Sequence, residues 1–134
     1  MKIAVLLKQV PDLAEELEVD DSGKALDTEY IKFRLNEYDE HALEEAVCLK
    51  EAGQASEVIA IALDGEEVDK VLFSAMAKGA DKAIKITGAE AEGSRSAASL
   101  FAEAVGTEYD LIMTGVQSVD DREGMMGPML SSML

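Results

Sequence analysis

Short apolar runs alternate along this chain with segments of helical period, and that alternation restricts it to very few folds. Lys2 to Gln9 carries Ile3, Val5, Leu6 and Leu7 without strict alternation, the pattern of a strand buried on both faces. Glu57 to Leu63 (EVIAIAL), Lys82 to Ile86 and Tyr109 to Thr114 repeat the signal. Helical periodicity fills the gaps, so each strand must reach the next by a crossover, and crossovers make strands parallel. The expected class is therefore α/β: an open, mainly parallel sheet with helices on both faces, a Rossmann-like three-layer fold. No repeat of fixed period points to a solenoid.

The first helix organises the rest. Within Phe33 to Glu51, Asn36 is placed to cap it by accepting from a backbone N–H, and Asp39 stands three residues on as its capping-box partner. Ala42, Leu43, Ala46, Val47 and Leu49 recur at helical spacing, while Lys50 interrupts the stripe. Gly53 offers a C-cap. A second helix is expected from Glu66 to Lys78, with Val68, Val71, Leu72, Ala75 and Met76 inward and Gly79 ending it. A third runs from Ser94 to Val105, with Leu100, Phe101, Ala104 and Val105 towards the sheet. Gly124 to Leu134 reads as a last helix with Met126, Met129, Leu130 and Met133 inward. It has no C-cap signal, so the single domain, residues 1–134, is expected to belong to something longer or to pair through that end. Ile31, Phe33 and Leu35 alternate with Lys32 and Arg34, and with Leu17 to Val19 suggest a small ribbon from about 17 to 35 around a solvated turn at Asp20 to Gly23.

Composition removes several classes of function. The 28 acidic residues against 12 basic give a formal charge of -16, which repels nucleic acid and anionic membranes. Hydrophobic residues make up 48% of the chain but aromatics only 4%, so the core must be built of aliphatic residues, Ala and Met. Cys48, the single cysteine, excludes an intrachain disulfide, fits a reducing, cytoplasmic setting, and is expected to be buried as a small hydrophobe. His41, the single histidine, lacks partners for a metal site, and its expected place is the helix surface. The opening run reads as a strand without a cleavage pattern, and no apolar run is long enough to cross a bilayer.

Ligands of open α/β sheets gather at the carboxyl ends of the strands. Those ends are Val10 to Asp12, Leu63 to Gly65, Thr87 with Gly88, and Gly115 to Asp121. Gly115 allows a tight exit from the last strand, Gln117 and Ser118 offer hydrogen bonds, and Gly124 or Gly127 lets backbone come close to a nucleotide. Asp120 and Asp121 suit a ribose hydroxyl or a cap better than a phosphate. Lys8 reads first as a solvated strand-end residue and second as a charge aimed into the crevice. Neither the dinucleotide glycine fingerprint nor the phosphate-loop pattern occurs, and no nucleophile has a base beside it.

Several separated stretches, KIAVLLKQVPD, NEYDEHALEEAVCLKEAG, EVIAIALDG, AMAKGADKAIKI and DLIMTGVQSVDD, resemble in order and spacing the beta subunit of electron transfer flavoprotein. That resemblance implies a heterodimer with an alpha subunit carrying FAD. The assembly takes electrons from a flavin-dependent dehydrogenase and passes them to an acceptor, without a catalytic site in this chain. It implies AMP in this subunit, or a second FAD in bifurcating relatives, and it is similar to the N-terminal portion of a longer subunit. Matching its binding segments points to Leu6, to Asn36, Glu37, Tyr38 and Asp39, to Leu63, and to Gly115, Val116, Gln117, Ser118, Val119, Asp120, Asp121, Arg122, Glu123, Gly124, Met125 and Met126. The chain departs from the family at two places. Glu37 and Tyr38 follow Asn36 where the family has Pro and Phe, and Arg122 to Met126 replace small or hydroxyl residues in the late turn, with Arg122 the one change that offers a phosphate a positive charge. An independent adenine-nucleotide-binding regulatory module and a structural interaction domain are the competing readings.

Overall fold

The structure, a computed structural model, describes residues 1–134. In chain order the elements are β1 (Lys2–Leu7), β2 (Gln9–Pro11), β3 (Phe33–Leu35), α1 (Glu37–Glu51), β4 (Glu57–Leu63), α2 (Val68–Lys78), β5 (Lys82–Ile86), α3 (Ser94–Val105), β6 (Leu111–Thr114) and α4 (Met126–Met133). Four strands form one parallel sheet in the order β5-β4-β1-β6, and β2 with β3 forms a separate antiparallel ribbon. Register runs from Lys2 opposite Glu57 to Leu7 opposite Ala62 on one side of β1, and from Ile3 opposite Leu111 to Leu6 opposite Thr114 on the other.

Side chains alternate across the sheet and so build two cores. Ile3, Val5, Leu7, Val58, Ala60 and Ala62 meet Leu43, Ala46 and Val47 of α1 and Val68, Val71, Leu72 and Ala75 of α2. Ala4, Leu6, Ile59 and Ile61 meet Ala98, Phe101 and Val105 of α3 and Leu130 of α4. Each of the large aliphatic side chains buried here stabilises the fold by about 1.5–3 kcal/mol relative to exposure. The chain steps from β1 out to β4 and β5, then returns past β1 to β6. Right-handed crossovers in opposite directions put α1 and α2 on one face and α3 on the other, and leave a switch point between the carboxyl ends of β1 and β6. No helix is long and apolar enough to cross a membrane.

Several local expectations give way. The first strand ends at Leu7, and Gln9–Pro11 pairs instead with Phe33–Leu35. Pro11 closes that short ribbon, and β1 stops earlier because the Lys8 N–H turns to a side chain, described below. Leu17 to Val19 pairs with no long strand; a single bridge, Val19 with Leu26, closes the solvated turn that holds Asp20 and Gly23. Cys48 is exposed, one position beyond the buried Val47, with Glu44 a turn before it on the same outer stripe. Met76 and Ala104 also lie outside the core stripes of their helices, and Ala98 takes the inward position on α3. On α4 only Leu130 is fully buried. Met126 and Met129 pack against that core, which ends there, so Met133 is exposed.

Candidate functional site

The switch point opens into a crevice of about 780 Å³. Leu6, Leu63, Phe101, Met126 and Met129 give it an apolar floor, and the segment from Gly115 to Gly124 forms one wall. The start of α3, with Gly93, Ser94 and Arg95, forms another.

Asp39 holds the wall in place. Its carboxylate accepts from Lys8 N at 2.9 Å and from Gly115 N at 3.0 Å, so a single side chain of α1 receives the backbone donors with which both β1 and β6 leave the sheet. The capping-box expectation for Asp39 is thereby corrected. Asn36 occupies the N-cap position without a side-chain cap bond, and its own N–H goes to Lys8 O. The Asn36 amide instead donates to Gln117 O at 2.9 Å and ties the late loop to α1. Burial pushes the Asp39 carboxyl up from 3.8 to about 6, against the opposing pull of Asn36, the Gly115 and Lys8 amides and the Lys8 charge.

Glycine at 115 is required by this contact. A Cβ there would lie 2.2 Å from Asp39 Oδ1 and 2.8 Å from Asp39 N. Gly124, at φ +64, lets the loop fold back on itself, since a Cβ would lie 2.4 Å from Val116 O.

Lys8 is both an exposed residue at the strand's end and a charge in the crevice lining. Its ammonium donates to Asp120 Oδ1 at 2.7 Å and to Ser118 Oγ at 3.2 Å, and Ser118 Oγ donates to the same Asp120 oxygen at 2.7 Å. Burial raises the Asp120 carboxyl, but the bonds from Lys8 and Ser118 outweigh it and hold the group below its ordinary value. Asp121 accepts a hydrogen bond from Ser94 Oγ at the first turn of α3.

Thirteen of the residues matched to the family's binding segments line this crevice: Leu6, Asn36, Asp39, Leu63, Gly115, Val116, Gln117, Ser118, Asp120, Asp121, Glu123, Gly124 and Met126; Asp64 and Gly127 line it as well. Glu37, Tyr38, Val119, Arg122 and Met125 do not, although the Tyr38 hydroxyl accepts from Gln117 Nε2 at 3.3 Å. Val10 to Asp12 and Thr87 with Gly88 also stay outside. Lys8, Gln9, Phe33 and the start of α3 line it without having been singled out as site residues. Only the Gly93-Ser94 pair ahead of an apolar helical stripe signalled the last of these, and it reads as an ordinary helix start. No group of acidic, histidine or cysteine side chains is placed to hold a metal ion.

A parallel sheet covered on both faces, with a crevice at its switch point, defines a Rossmann-like three-layer α/β domain. Comparison with known proteins narrows this class. The family model described as "Electron transfer flavoprotein domain" matches residues 24–134, most of the chain. The chain belongs to that family. It is 34% identical to the electron transfer flavoprotein subunit beta of Methylophilus methylotrophus and 33% identical to that of Dictyostelium discoideum, with 100% of this chain covered in each case and 52% and 54% of those relatives. The mouse subunit beta, at 32% identity, is covered to 54%. The chain thus spans about half the length of the curated relatives it matches.

Proposed function

We propose that this chain is the crevice-forming part of an electron transfer flavoprotein beta subunit. It works in a heterodimer with an alpha subunit that holds FAD, between a flavin-dependent dehydrogenase and an electron acceptor. The observation that carries this reading is the Asp39 bridge at the switch point, in a chain whose family match covers residues 24–134. Flavin supplies the redox chemistry in such an assembly, and the protein supplies binding, orientation and electrostatics. The residues seen here suit that division of labour. The crevice has an apolar floor and a wall fixed by backbone and amide bonds, and its serine hydroxyls, Ser94 and Ser118, are engaged by Asp121 and Asp120. Bond-making chemistry is accordingly not part of the proposal.

AMP, and the second FAD of bifurcating relatives, are the family-implied ligands of this half. An adenine ring suits the apolar floor in kind. The phosphate groups do not fit. Glu123, Gly124, Met125 and Met126 bring no hydroxyl to the late turn, Glu123 adds a carboxylate, and Arg122 lies outside the crevice lining.

Co-purification with an alpha subunit from the same source tests the reading. The expected complex retains flavin, and that flavin bleaches when a reduced flavin-dependent dehydrogenase is added. A complex that keeps its flavin but exchanges electrons with no dehydrogenase would overturn it.

A further inference from the structure

Two places in the crevice suit an anion, and the chain's own carboxylates occupy both. The first is Lys8, whose ammonium is held by Asp120 at 2.7 Å and shared with Ser118. The second is the first turn of α3, where backbone N–H groups lack intrahelical partners and no acidic residue of the helix stands in that turn. There Asp121 has already drawn in the Ser94 hydroxyl. An entering phosphate would have to displace Asp120 from Lys8 or crowd Asp121, and in either case two anions would end up side by side in a partly desolvated cleft. Asp64, Glu92 and Glu123 add further negative charge to the lining, against which Arg95 is the one cation without an ion-pair partner.

We infer that the crevice admits an adenine nucleoside and turns away its 5′-phosphate, with the Lys8–Asp120 pair as the specificity device. This rests on the reading of the crevice as an adenine site and refines it. The ligand class is an uncharged nucleoside, or a larger molecule that presents its adenosine end with any phosphate kept outside the mouth. Asp120 then works as a built-in substitute for the phosphate, saturating Lys8 and holding the late loop closed.

Calorimetric titration of the full chain with adenosine and with AMP, in buffer free of divalent cations and at low ionic strength, tests the inference. Adenosine is expected to bind about tenfold more tightly than AMP, with the gap narrowing as salt is added. Asp120→Asn removes one anion and releases Lys8, and should raise the affinity for AMP relative to adenosine by about tenfold. Glu123→Gln, at an exposed position, gives the same direction with less risk to folding. AMP binding as tightly as adenosine or more tightly to the unaltered chain overturns the inference and leaves the adenine reading standing. Binding of neither overturns both.

Discussion

Asp39 is the residue on which pH should act most clearly. With its carboxyl at about 6 in the folded chain against 3.8 in the unfolded one, the folded state holds the proton more tightly. Stability from this group is complete below 3.8 and is lost as pH rises through about 6, a change of about 3 kcal/mol. Urea unfolding followed across that interval should show the decline in the unaltered chain and a flatter profile in Asp39→Asn. At the acid end the variant should be less stable by about 1–3 kcal/mol, because an amide nitrogen then faces one of the two backbone donors now satisfied at 2.9 and 3.0 Å, and the gap should close as pH rises through about 6. A profile of equal slope in both proteins would remove Asp39 from the account. The partner position is as sensitive: Gly115→Ala forces a methyl into Asp39, and a loss of about 3 kcal/mol is expected in the same assay.

At the scale of elements, the interrupted stripe of α1 has a structural reason. Lys50 stands where a further apolar residue would continue the pattern, and its ammonium donates to Gly79 O at 2.7 Å and to Asp81 Oδ1 at 2.9 Å. It thus joins the end of α1 to the end of α2 and to the entry of β5, while Asp81 also accepts from Val58 N. Lys50→Met keeps the stem and removes the charge. It should cost about 1–2 kcal/mol in unfolding experiments, with only part of the loss mimicked in the unaltered chain by high salt, because Gly79 O is neutral. The elements themselves were legible in the sequence to within a few residues wherever apolar periodicity was strong, as at Glu57–Leu63, Lys82–Ile86 and Ser94–Val105. What local pattern could not show was which distant backbone a polar side chain would serve. Asn36 and Asp39 match a capping box in spacing, yet they answer donors and acceptors at positions 8, 115 and 117 that come near only once β1 and β6 pair. The partners of Lys8 were hidden for the same reason, since they stand at 118 and 120. Cys48 failed differently: the helical stripe is narrower than the apolar count suggests, and position 48 falls just outside it.

For the molecule as a whole, charge is the dominant condition. A formal -16 carried by 134 residues repels itself, so added sodium chloride should raise the thermal midpoint, by a few degrees between low and moderate salt. A midpoint that falls would mean that the ion pairs at Lys8, Lys50, Lys78 and Lys85 outweigh that repulsion. The central place of β1 has another consequence. Lys2 N donates to Asp110 Oδ2 at 2.7 Å, 108 residues along the chain, and β1 finds its other neighbour only at Glu57–Leu63. Synthesis releases this greasy strand before either of its sheet neighbours, β4 and then β6. The nascent chain therefore carries one edge of β1 unpaired until Leu111–Thr114 has been made, and that interval is when a chaperone has something to hold.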